Sequence, residues 1–232
     1  MMFTELEKVM AYSLEDDNFL ESLVHNVTGK KSTSGVEKTG IYLKRLYGFD
    51  LNYPPFVAFK YFWKNAEPNE RALLALIYAV NQDDLLAESV PVLQSVKPGD
   101  KAAIEFFEEV IEKYHPNQYS ANTLKSMAQN IASSWKQAGL IKGKVKNIRT
   151  QPDISHRVAC FAFLLAYLNG DRGDYIWGNI GVNALCLTES NLRALAIDCA
   201  KKDIMQYQYA GSVTAINFTN LLNKIGLHGN TN

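Results

Sequence analysis

Between Ser120 and Pro152 the chain spells out one complete folding unit. Ser120 stands where a helix N-cap belongs, and Leu124, Met127, Ala128, Ile131, Trp135 and Ala138 follow at three- and four-residue spacing. That stripe fits a helix over 121–138 and has no period of two. Gly139 falls where a left-handed residue ends a helix. Leu140 and Ile141 then begin a short strand, Gly143 permits a reversal, Val145 and Ile148 suit a returning strand, and Pro152 closes the unit. Ahead of it lies the turn sequence Lys97-Pro-Gly-Asp100 and a second helical stretch from Ala102 to Tyr114.

The rest of the chain reads as helices with short polar connections. Apolar residues recur at helical spacing in 19–24, 41–47, 56–63 and 71–80, punctuated by Gly29, Gly48, Pro54-Pro55 and Pro68. Glu67-Pro68-Asn69-Glu70 has the form of a helix start. Beyond Pro152 the spacing predicts helices over about 155–169 and 189–202, and a short one over 220–225. Met205, Tyr207 and Tyr209 alternate before Gly211, and β-branched residues follow it, so 204–218 is expected to be a hairpin. The expected fold is mainly α. A helical N-terminal region (1–98) precedes a central unit (99–154), and C-terminal helices with a hairpin (155–232) complete it.

With 232 residues and 47% hydrophobic content, the chain is long enough to bury roughly 70% of its unfolded surface without metals or disulfides. Cys160, Cys186 and Cys199 are odd in number and form no C-x-x-C pair, which speaks against a disulfide framework or zinc knuckle and for a reducing cytoplasm. The N-terminal stretch carries acids where a signal peptide is basic, and the longest apolar run, Val158 to Leu168, is too short for a membrane span. The expectation is a cytoplasmic protein with no membrane partner.

Charge is balanced overall, with 24 basic and 24 acidic side chains, but it is not evenly placed. Residues 113–152 hold Lys113, Lys125, Lys136, Lys142, Lys144, Lys146 and Arg149, and no Asp or Glu. Neutral proteins ordinarily intersperse both signs, which limits self-repulsion and non-specific binding. On a strand, Lys144 and Lys146 would sit about 6.6 Å apart on one face and repel by roughly 0.6 kcal/mol even in water. A polyanion would relieve that repulsion; protection of an exposed sheet edge is the plainer use of such lysines. The helix before them tips the balance. Its outward side chains include Asn122, Lys125, Ser126, Gln129, Ser133, Lys136 and Gln137, types that hydrogen-bond base edges and phosphates. A solvated helix more often carries Glu–Lys pairs there.

Helix, glycine, strand, basic turn and strand is the layout of a winged helix-turn-helix, with 121–138 as recognition helix and 141–149 as wing. The expected activity is non-enzymatic binding of double-stranded DNA through Asn122, Lys125, Ser126, Gln129, Ser133, Lys136, Lys142, Lys144, Lys146 and Arg149. Lysines outnumber arginines there, so contact with the backbone is expected to dominate. The alternative is an adaptor whose winged helix and aromatic surfaces meet an acidic protein.

The runs Ser120-Ala-Asn-Thr-Leu-Lys-Ser-Met-Ala-Gln129, Trp135-Lys-Gln-Ala-Gly-Leu-Ile141 and Gln151-Pro-Asp-Ile-Ser155 are similar to those of the small accessory A proteins of BREX phage-defence systems (BrxA-like). Lys30-Lys-Ser-Thr33 followed by Ile41-Tyr-Leu-Lys-Arg-Leu46 resembles that family's basic stretch and Arg-Leu helix. The resemblance covers about residues 20–170, and the tail beyond Gly170 is longer than the family's. It implies a mostly helical DNA-binding accessory protein without catalysis of its own, working beside other defence-complex proteins.

Motifs for other chemistry fall short. Asn26-Val-Thr-Gly-Lys-Lys-Ser-Thr33 lacks the first glycine of a phosphate loop, since Val24 occupies its place. Glu112-Lys-Tyr-His115 has carboxylate–histidine spacing but no second copy, and His25, His115, His156 and His228 are scattered. Asp171-Arg-Gly-Asp174 reads as a charged turn. Phe56, Phe59, Phe62 and Trp63 favour a core face, while Tyr207 and Tyr209 suit core, dimer seam or partner site equally. No cofactor, metal or catalytic residue is expected.

Overall fold

The least amphipathic stretch of the chain lies at the centre of the molecule. A helix that is apolar all round has no face to give to water and belongs inside. In the computed structural model, which describes residues 1–211 and 213–227, Val158 to Tyr167 are all buried. Ser212 and His228 lie outside the described residues.

The elements run α1 (Phe3–Ser13), α2 (Phe19–Val24), α3 (Thr33–Tyr47), α4 (Pro54–Lys64), α5 (Arg71–Val80), α6 (Asp84–Glu88), α7 (Val90–Ser95), α8 (Ile104–Tyr114) and α9 (Ala121–Gln137). There follow β1 (Ile141–Lys142), β2 (Ile148–Arg149), α10 (His156–Leu168), α11 (Tyr175–Gly178), α12 (Ile180–Asn183), α13 (Glu189–Lys201), β3 (Gln206–Ala210), β4 (Val213–Asn217) and α14 (Thr219–Lys224). Helices take 58% of the residues and strands 7%, so the chain is mainly α with two small hairpins. No helix among the described residues is long and apolar enough to cross a membrane.

α10 packs against α4, α5, α12 and α13. Phe161 meets Phe62 at 5.3 Å and Phe59 at 5.9 Å between ring centroids, and Phe163 meets Trp177 edge-on at 5.3 Å. Each such side chain contributes about 1.5–3 kcal/mol by leaving water. Phe56, Phe59, Phe62 and Trp63 are indeed core. One hydrophobic cluster runs from Leu6 to Leu222, so the three sequence regions share a core.

Local signals explain most helix ends. Ser120, Ser155 and Thr188 cap α9, α10 and α13 by accepting from Thr123, Val158 and Asn191 amides. α4 opens on Pro54-Pro55, whose missing N–H groups have no helical role at that position. Pro68 differs from expectation: it lies in a turn, and α5 begins at Arg71.

The central unit holds a short antiparallel ladder. β1 pairs with β2 in the register Ile141–Arg149 and Lys142–Ile148. The segment before α8 pairs with the other side of β2 through the bridge Lys101–Ile148. Amides of Gly99, Arg149 and Ala102 donate across it to the carbonyls of Arg149, Asp100 and Asn147, each at 2.8 Å. The expected boundary turn at 97–100 therefore runs straight into a strand-like edge. The C-terminal hairpin is in register from Gln206–Asn217 to Ala210–Val213, as expected.

Candidate nucleic-acid interface

α9 ends where its sequence says it must. Gly139 adopts φ 79°, Leu140 N–H donates to Trp135 O at 3.0 Å and Gly139 N–H to Lys136 O at 3.0 Å, the paired bonds of a Schellman cap. The chain leaves α9 in a fixed direction, which sets the hairpin beside its C-terminal half. Trp135, Ile131 and Ala128 anchor the inner side, with Leu124 and Met127 half-buried at the margin.

The outer side carries the polar set. Asn122, Lys125, Ser126, Gln129 and Ser133 are exposed, and Lys136 is half-buried. At 100° per residue these six fall within an arc of about 100°, and at 1.5 Å per residue the strip from Asn122 to Lys136 is about 21 Å long. Not every group is free. Ser126 Oγ donates to the Asn122 carbonyl at 2.9 Å, and Gln137 Nε2 donates to the Ser133 carbonyl and hydroxyl. Gln137 Oε1 accepts the Phe3 amide at 2.8 Å, which ties the end of this face to the start of α1.

The basic hairpin differs from expectation. The paired strands are two residues long, and 143–147 form a loop rather than a continued strand. Gly143 has the expected positive φ of 92°, but Asn147 is also left-handed at φ 50°, which bends the chain just before pairing resumes. Val145 is 82% exposed; with no apolar surface opposite it, nothing holds this segment in a ladder. Lys142, Lys144 and Lys146 are all exposed, gathered by a loop rather than by strand alternation. Lys136 Nζ donates to the Lys144 carbonyl at 3.3 Å, so the helix adds its ammonium to the same cluster.

Lys125, Lys136, Lys142, Lys144 and Lys146 have no carboxylate within 4.0 Å among the described residues. All ion pairs there lie elsewhere, such as Lys30–Glu5, Lys60–Asp17, Lys64–Glu15 and Arg157–Glu70. These five lysines are thus left without an ion pair among the described residues, although α8, packed against α9, carries Glu105, Glu108, Glu109 and Glu112. Lys113 lies over the Tyr114 ring at 5.3 Å.

Arg149 corrects the sequence reading. It is 2% exposed and does not belong to the outer surface. Its Nε donates to Leu93 O at 3.1 Å, its Nη1 to Leu140 O at 3.3 Å and also to Thr150 O, and its Nη2 to Gln151 Oε1 at 3.0 Å. It joins α7 to the base of the hairpin from inside. Register is the reason: Arg149 pairs with Ile141 and so shares the core-facing side of the ladder.

The other motifs resolve as structural. His115 Nε2 meets Glu88 Oε2 at 3.0 Å while Glu112 accepts the Asn117 amide, and no group of three metal-ligating side chains occurs among the described residues. Asn26 folds the 26–30 loop around Lys30, which pairs with Glu5. Tyr207 and Tyr209 both turn to Arg193, Tyr207 through a 3.2 Å hydrogen bond and Tyr209 through stacking at 4.4 Å. The same guanidinium pairs with Asp174 and Glu189, which makes Arg193 the hub between α13 and the C-terminal hairpin. No family model matches the chain, and neither the curated proteins nor the solved structures hold a significant match to it.

Proposed function

We propose that this chain binds duplex DNA without catalysing a reaction, using a winged helix-turn-helix made of α8, α9 and the 141–149 hairpin, as an accessory to a BREX-like phage-defence complex. The observation that carries the reading is the set of five lysines on α9 and its following loop that form no ion pair among the described residues. Phosphates at the spacing of a DNA backbone would supply that charge. The ladder of 99–102 on β2 supports it further, because a strand ahead of the first helix braces a wing in that module. Asn122 and Gln129 are the side chains on the strip suited to base edges, through bidentate contact with adenine. The defence assignment rests on the motif resemblance alone.

The test is binding of a 20-base-pair duplex across a salt series. Neutralising about four phosphates lowers affinity by roughly two decades between 50 and 200 mM salt. A flat response overturns the reading. Val145, exposed among the lysines, supports one second reading: an adaptor loop that seats an apolar tip in an acidic partner protein. In that case duplex DNA does not bind at 50 mM salt.

A further inference from the structure

Residues 204–223 contain no Asp, Glu, Lys, Arg or Pro, and the β3–β4 hairpin lies wholly inside this uncharged run. Its sheet has two strands, and among the described residues no backbone hydrogen bond joins either strand to another segment. Exposed sheet edges are normally blunted by lysine, proline, a bulge or a covering segment. The chain uses such devices at β1–β2, where lysines crowd the loop and residues 99–102 lie along β2. At β3–β4 it does not: the strands pair in unbroken register from Gln206–Asn217 to Ala210–Val213.

The two edges are not equivalent. The Thr214 carbonyl oxygen is 3.1 Å from where a Cβ on Gly173 would stand, so the 171–174 loop closes the β4 edge at that point. That carbonyl therefore turns away from β3, and Tyr209–Thr214 is a pair without mutual hydrogen bonds. By alternation, Tyr207 and Tyr209 turn their N–H and C=O groups outward along the β3 edge. α13 lies under the hairpin and not beside that edge. Its Arg193 meets the side chains of Tyr207, Tyr209 and Thr214, from both strands, on the face where Thr214 and Ile216 are buried. On the other face Gln206, Gln208, Ala210, Val213 and Ala215 are exposed.

We infer that β3 pairs with β3 of a second copy across a two-fold axis, which completes a four-stranded antiparallel sheet. Outward backbone groups of an edge are matched by those of an added strand. Two-fold pairing sets each side chain against itself or its symmetry mate, so a charged strand would repel its copy. This strand carries no charge. With Gln208 on the axis, Tyr207 exchanges hydrogen bonds with Tyr209 of the second copy, and Tyr209 with its Tyr207. The Gln208 amide is both donor and acceptor and so is complementary to its own mate. A ladder this short gives a weak dimer, with Kd on the order of 10 µM. The inference is independent of DNA binding.

Sedimentation of the full chain from about 5 to 500 µM should show a monomer–dimer equilibrium. Over that range amide exchange should slow at Tyr207 and Tyr209. Gln208→Lys and Gln208→Glu, both exposed changes, place like charges about 5 Å apart at the axis and should each weaken association at least tenfold. An equal mixture of the two variants should restore it. Val213→Lys, on the exposed face of β4, should leave it intact. Absence of a dimer at the highest concentration, undiminished association in Gln208→Lys, a mixture that stays monomeric, or loss of the dimer in Val213→Lys each overturns the inference.

Discussion

The indole Nε1–H of Trp135 donates to Ser89 Oγ at 2.9 Å, and both residues are fully buried. This bond joins the last turn of α9 to the junction of α6 and α7. Ser89 Oγ in turn donates to the Leu86 carbonyl at 2.6 Å, so the hydroxyl has a donor role and an acceptor role filled at once. Ser89→Ala leaves the indole N–H dry and unpaired. The expected cost is about 1–3 kcal/mol, read as a lower urea midpoint with an unchanged slope. A loss below a few tenths of a kcal/mol means that α9 is held by apolar packing alone.

The loop lysines should govern DNA affinity without governing stability. Changing Lys142, Lys144 and Lys146 together to Glu alters only exposed side chains without acidic partners among the described residues. Surface changes of this kind usually stay within about 0.5 kcal/mol each. The slope of log K against log salt should fall by about 3, and binding of a 20-base-pair duplex at 50 mM salt should be lost. Unchanged affinity removes the loop from the interface.

Arg149 should behave in the opposite way. Arg149→Met takes donors from the Leu93, Leu140 and Thr150 carbonyls at once. At about 1–3 kcal/mol for each buried acceptor left dry, a loss of roughly 3 kcal/mol or more is expected in a urea titration. The fraction still folded should keep the parental salt slope for DNA. A reduced slope with unchanged stability would return Arg149 to the outer surface.

Much of the helical frame is legible in the amino-acid order. The Ser120 cap, the stripe through Trp135 and the Gly139 stop each describe α9 locally, and the Val158–Leu168 run announces a buried helix by lacking a polar side. α1 is missed because its acids dominate the reading, although Leu6, Val9, Met10 and Ser13 recur at helical spacing. α6 and α7 are five and six residues long, too short for a periodicity to show, and Pro91 looks like a break while it sits in the first turn of α7. The wing is harder. Its third partner, residues 99–102, is separated from it by two whole helices, so neither the ladder nor the inward turn of Arg149 follows from local order. Counting cations finds the cluster; only register shows which cation leaves it.

Glu70 gives the fold an acid-sensitive joint. The residue is 6% exposed; its carboxylate accepts Arg157 Nη1 at 2.6 Å and the Glu67 amide at 2.8 Å, and so links the start of α5 to the start of α10. Burial acts to raise its pKa, but the Ser155 hydroxyl, the Glu67 amide and the Arg157 guanidinium outweigh it and hold the carboxyl below its ordinary range. A depressed folded-state value means that the contribution is present above the unfolded value of about 4.3 and disappears as pH falls through the folded one. At pH 7, Glu70→Gln should cost about 1.5–3 kcal/mol, the usual worth of hydrogen bonds to a charged group. Below that window the parent has lost the same contribution, so the two unfolding curves should converge. Measuring urea midpoints of both chains from pH 7 down to pH 3 decides it. A gap that stays constant over the whole range would show that Glu70 acts by packing and not by its charge.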